Sequence, residues 1–127
     1  MLSPYMQVNL VGGEYRGYRK DFCGYLTEQA LQGLRFTKSF VGADGCVGDG
    51  MFTTTDFDTA RMDQIAIRNT EKTFMLADSS KFGNSSHVVY TTVSELHTVI
   101  TDCDVDQGVL QQLQGSKARV VCVEYEK

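Results

Sequence analysis

Residues 73–83, TFMLADSSKFG, join a near-continuous apolar run to a polar turn closed by glycine. Five apolar or β-forming residues bounded by turn chemistry read as a strand buried on both faces, the type found in parallel sheets. The turn Asp78-Ser79-Ser80-Lys81-Phe82-Gly83 then places carboxylate, hydroxyl and ammonium groups at the carboxyl end of that strand. Upstream, KSFVG at 38–42 predicts a second buried strand, which runs into a glycine-rich turn at 43–50. Between the two strands, residues 56–69 predict a helix carrying Phe57, Ala60, Ile65 and Ile67, with Thr55 or Asp56 as its N-cap.

The same alternation continues outward. Downstream, 87–91 and 98–101 are β-branched runs, 105–113 predicts a short helix, and ARVVCV at 118–123 a last strand. Toward the front, Leu26, Ala30 and Leu34 stand at i, i+4 and i+8, so 25–34 predicts a helix with one apolar stripe. Residues 7–11 read as a strand stopped by Gly12-Gly13. Strands alternating with helices predict an α/β fold: a mostly parallel sheet with helices on both faces. A chain that starts almost directly in a strand leaves the later strands without neighbours on one side. The expectation is one partial domain over 1–127, the C-terminal part of something longer.

Composition narrows the function classes. The chain has 127 residues, 42% apolar and 22% charged, the ordinary globular mix. Twelve Lys+Arg against sixteen Asp+Glu give a net charge of −4, which argues against a DNA grip by this chain itself. No apolar run approaches the roughly 20 residues that span a bilayer, so no membrane partner is expected. The start, MLSPYMQVNL, has no cationic region followed by an apolar stretch, so a cytoplasmic location is expected. Cys23, Cys46, Cys103 and Cys122 stand far apart without a C-x-x-C pair, and only His87 and His97 are available to complete a zinc set. Neither a metal site nor another cofactor is expected; the cysteines read as reduced, mostly buried thiols.

In open α/β sheets ligands bind outside the carboxyl ends of the strands. The residues there are Gly12-Gly13, Asp44-Gly45, Asp78 to Lys81, and Asp102. Carboxylates and a lysine at equivalent strand ends line one polar pocket, or each Asp closes its own turn. Thr53-Thr54-Thr55-Asp56 leads into a helix whose free N–H groups suit a phosphate or carboxylate, or simply carry a Thr/Asp cap. Arg16, Arg19 and Lys20 form a local cationic cluster after Gly12-Gly13, facing that pocket or solvent. Ser79 and Ser80 have no His–Asp partners in sequence, so nucleophilic catalysis has no support. The glycine-rich stretch 42–50 matches neither nucleotide-loop pattern.

The ordered set Gly12-Gly13, Phe22-Cys23-Gly24, SFVGADGC (39–46), TTTD (53–56), LADSSKFG (76–83) and VITD (99–102) resembles the C-terminal sensor domain of DeoR-type bacterial transcription repressors. The similarity runs from about Val8 to Val123, and ADSSKFG is its most specific element. The resemblance implies a fold like that of ribose-5-phosphate isomerase and the CoA transferases, and a phosphorylated sugar as inducer. It also implies a homo-oligomer, dimer or tetramer, and operator DNA bound only through an N-terminal winged helix-turn-helix, a region with no counterpart in these residues. The ligand residues expected on this basis are Gly12, Gly13, Arg16, Asp44, Gly45, Thr53, Thr54, Asp78 and Lys81.

The resemblance also has a departure. It places Thr59 and Asp63 where members carry a Glu and, four residues on, a Lys. Isomerase relatives use a Glu in this region as a base, and threonine cannot do that work. Asp58 is displaced by about 100° around the helix. An effector-binding module is therefore expected rather than an enzyme. The alternatives are a sugar-phosphate isomerase-like enzyme on the same fold, and a non-functional remnant or dimerisation fragment.

Overall fold

The computed structural model describes residues 4–126. Twelve strands and helices follow one another in these residues: β1 Glu14–Arg16, β2 Asp21–Cys23, α1 Tyr25–Gln32, β3 Phe36–Gly42, β4 Gly45–Val47, β5 Met51–Thr54, α2 Phe57–Arg68, β6 Thr70–Leu76, β7 Val88–Thr92, β8 Thr98–Asp102, α3 Gln107–Gln114 and β9 Arg119–Val123. Four of the strands form a parallel sheet in the order β3-β6-β8-β9. A smaller antiparallel sheet, β4-β5-β7, and the β1-β2 hairpin complete the strands. The expected α/β class with a mainly parallel sheet holds, and the helices and parallel strands lie within a few residues of their predicted positions. No helix among the described residues is long and apolar enough to cross a membrane.

Three parts differ from the sequence expectation. Residues 7–11 are not a strand; the chain first turns at the hairpin Glu14–Arg16/Asp21–Cys23, which pattern reading missed because each arm is three residues long. The glycine-rich stretch 43–50 is not one long turn: it contains β4 and leads straight into β5. The β-branched run near 87–91 pairs antiparallel with β5 and so stays outside the parallel sheet.

Helix α2 follows local rules. The Asp56 carboxylate accepts from the Thr59 amide at 3.0 Å, Asp58 sits in the first turn and Arg68 in the last, each on the favourable end of the helix dipole. Helix α1 does not bury its apolar stripe. Leu26 is 69% exposed and Leu34 40%, while Thr27 and Glu28 are buried. Polar contacts dock the opposite face: Thr27 Oγ1 donates to the Gly12 carbonyl at 2.7 Å, and Glu28 meets Arg61 of α2 at 2.7 Å.

The register of the parallel sheet sorts its two faces. Val41, Met75, Val99 and Val120 pair across the four strands and point one way. That side packs with Phe52 of β5, Ala60 of α2, Tyr90 of β7 and Leu113 of α3 into the core. The opposite side carries Phe40, Phe74, Leu76, Ile100 and Val121 by the same register. Phe40 is 65% and Leu76 47% exposed, so the expected helical cover is complete on one face only in this chain. Of the four cysteines, Cys23 and Cys46 are buried and Cys103 and Cys122 exposed, all as free thiols.

Candidate functional site

The parallel strands end in a row of carboxylates. Gly42, Leu76 and Ile100 pair across β3, β6 and β8, and two residues further along each strand stand Asp44, Asp78 and Asp102. Because side chains alternate along a strand, these aspartates belong to the face that carries Phe74 and Ile100. A cleft of about 740 Å³ opens at this edge, lined by Leu76, Asp78, Ser80, Ile100, Asp102 and Tyr125 among others.

Backbone amides fix each carboxylate. Asp44 accepts from the Thr55 amide at 2.8 Å and from the Thr54 hydroxyl at 2.9 Å. Asp78 accepts from the Ser80 amide at 2.9 Å and also from the Ser80 hydroxyl. Asp102 accepts from the Ser79 amide at 2.7 Å and from the Asp104 amide at 2.9 Å. Hydrogen bonds to the charged form favour ionisation. The Thr55 amide holds Asp44 below the usual carboxylate range, the Ser80 hydroxyl and amide do the same for Asp78, and the Ser79 amide does it for Asp102. All three are therefore anionic at neutral pH and present only acceptors.

Lys81 ends the 3-10 turn Ser79–Lys81 that follows Asp78, half-buried beside it. Thr101 lines the cleft, and its hydroxyl is buried without a hydrogen-bond partner among the described residues. Pattern reading did not single out Thr101; its place beside Asp102 in VITD was its only signal. Tyr125, also not anticipated, lines the same cleft and donates to Asp104 at 3.2 Å.

The remaining expected residues lie around a second cleft or inside the framework. Arg16 is 9% exposed and binds Asp21 through two nitrogens, at 2.8 and 2.9 Å, as well as Asp56 and the Thr59 hydroxyl. These partners, the Asp21 hydrogen bond first, raise its already high pKa further despite burial. Arg19 meets Asp56 at 3.1 Å and Thr55 at 3.2 Å. Burial works to raise the Asp56 pKa, but the Thr59 amide and Arg16 outweigh it and hold Asp56 low. The start of α2 thus carries its own carboxylate and two arginines, beside a cleft of about 580 Å³ that includes Tyr18 and Asp58.

Thr53 is buried, and its hydroxyl accepts from the Ser86 amide at 3.1 Å; the Thr54 hydroxyl serves Asp44. A Cβ on Gly45 would overlap the Asn84 carbonyl oxygen and stand 2.9 Å from Thr53 Oγ1, so only glycine fits between β4 and that loop. A Cβ on Gly13 would overlap Thr27 Oγ1 and stand 2.7 Å from the Cys23 carbonyl, whereas Gly12 has open space around it. The structure therefore groups Asp44 with Thr54, and Asp78 with Lys81 and Asp102, along one strand edge; Gly12, Gly13 and Arg16 serve the hairpin and its junctions with α1 and α2.

The model of the DeoR C terminal sensor domain family matches residues 2–103. The chain is 37% identical over 98 residues to the lactose phosphotransferase system repressor of Staphylococcus epidermidis, covering 77% of this chain and 39% of that protein. It is 32% identical over 111 residues to the repressor of the same name from Streptococcus mutans, covering 87% and 43%. The corresponding repressor of Staphylococcus aureus is 30% identical over 107 residues, covering 84% and 42%. The chain thus spans about two fifths of the length of the curated relatives it matches. With the family model matching most of its length, the chain belongs to the DeoR C-terminal sensor domain family.

Proposed function

We propose that this chain is the effector-sensing part of a DeoR-type repressor of a sugar operon, and that its effector is a phosphorylated sugar held at the carboxyl edge of the parallel sheet. The observation that carries the reading is the row Asp44, Asp78 and Asp102 at equivalent ends of β3, β6 and β8. Ionised carboxylates with free lone pairs accept hydrogen bonds from sugar hydroxyls, and each of these is already oriented by an amide. Ser79, Ser80 and the unpartnered Thr101 hydroxyl add groups that both donate and accept. Lys81 supplies positive charge for the phosphate.

In this reading Gly45, Thr53 and Thr54 position Asp44, while Gly12, Gly13 and Arg16 anchor the hairpin behind the start of α2. The repressor names of the relatives support regulation rather than catalysis, and Thr59 stands where a base would be needed. A ligand that prefers one conformation shifts the DNA-binding equilibrium of a longer protein, operator contact being made by a region other than this one. The protein acts in the cytoplasm as a homo-oligomer.

Titration calorimetry with a panel of hexose and pentose phosphates tests the site. Lys81→Ala lowers affinity about tenfold to a hundredfold, the worth of one charged contact of about 1.5–3 kcal/mol. Lys117→Ala, on an exposed turn, leaves it unchanged. Equal binding by the two variants removes Lys81 from the site.

A further inference from the structure

The uncovered face of the parallel sheet is ordered along the strand direction. At its amino end stand Lys38 and Lys72, paired across β3 and β6 and both exposed, followed by Arg119 one row on. Its middle is apolar: Phe40 stacks on Phe74 with ring centroids 5.1 Å apart, and Leu76, Ile100 and Val121 follow in the next row. Its carboxyl end is the acidic row Asp44, Asp78 and Asp102, with Val123 paired to Asp102. Phe40 at 65%, Leu76 at 47% and Val123 at 46% exposure leave this middle open to water. Parallel sheets are almost always covered on both faces, because their strands carry apolar residues both ways.

We infer that this face docks on the same face of a second copy of the chain, strands running in opposite directions across a two-fold axis. An isologous interface needs a surface that complements itself. A basic end, an apolar middle and an acidic end meet that requirement in one orientation only. Turned end for end, Lys38, Lys72 and Arg119 of one copy lie over Asp44, Asp78 and Asp102 of the other. The apolar middles then meet at the spacing of about 10 Å at which sheets stack face to face. The parallel orientation would set like charges on like and is excluded by repulsion. This inference rests on the homo-oligomer proposed above and names its surface. It does not depend on the effector, which calorimetry of Lys81→Ala tests separately.

Sedimentation velocity of the full chain at micromolar concentration tests it. The wild type sediments as a dimer. Phe40→Asp and Val123→Lys, both at exposed positions, each weaken the dimer about tenfold or more, with unchanged circular dichroism. Lys38→Glu combined with Lys72→Glu weakens it at low salt, and high salt narrows that difference. A wild type that is monomeric overturns the inference. So does a dimer that loses affinity with Phe40→Asp but is indifferent to Val123→Lys, because pairing through the open β3 edge would not involve β9.

Discussion

Replacing Asp63 by asparagine removes a carboxyl that the fold holds in an unfavourable place. Asp63 lies on α2, which packs against β7, and burial pushes its pKa up from 3.8 to about 7. At about 1.36 kcal/mol for each pH unit, that rise amounts to about 4 kcal/mol as a ceiling, which relaxation of the helix and water entry reduce. The sign follows from which state holds the proton. The folded protein keeps it to higher pH than the unfolded chain, so stability falls as pH rises from about 4 to about 7 and the full cost is present above that. The amide in Asp63→Asn keeps the shape of the carboxyl and cannot ionise. Urea titrations of wild type and Asp63→Asn at about pH 4 and about pH 8 measure the effect. The two proteins differ little at the lower pH, and the variant is more stable by about 2–4 kcal/mol at the higher. A difference of the same size at both pH values, or a less stable variant at the higher, refutes the burial of an ionisable group at this position.

Arg16→Met takes the cation away from Asp21 and Asp56 and lowers stability by about 3 kcal/mol in urea unfolding. Arg16→Lys recovers only part of this, because an ammonium cannot reproduce the two-nitrogen contact with Asp21. Gly45→Ala forces a methyl onto the Asn84 carbonyl and costs about 1–3 kcal/mol, read as a fall in the urea midpoint, whereas Gly12→Ala, with open space, changes it by less than about 0.5 kcal/mol. In a gel shift at low salt, a chain of net charge −4 retards no operator fragment specifically; a complex competed by one sequence alone would contradict this.

Short-range chemistry made much of this protein legible in the sequence. The buried strands KSFVG and TFMLA, the Asp56 cap of α2 and the Asp78 turn depend on residues within a few positions of one another, and all four stand in the structure. The alternation of strand and helix carried the α/β class, and the spaced motifs carried the family.

Pairing over long distances decided the rest. The apolar stripe of α1 faces water because Thr27 and Glu28 find the Gly12 carbonyl and Arg61, partners 15 and 33 residues away. Arg16, read as a loop cation free to meet a ligand, is held by Asp21, Asp56 and Thr59, of which the latter two lie 40 and 43 residues on. The shared row of Asp44, Asp78 and Asp102 is a consequence of register between three strands, which no local pattern encodes. The same register put Lys38 and Lys72 at one end of the open face and the carboxylates at the other. Local sequence determines which residues turn, cap or extend, because those free energies act within one element. Only the tertiary structure sets which faces meet and which charges pair, because that depends on every element at once.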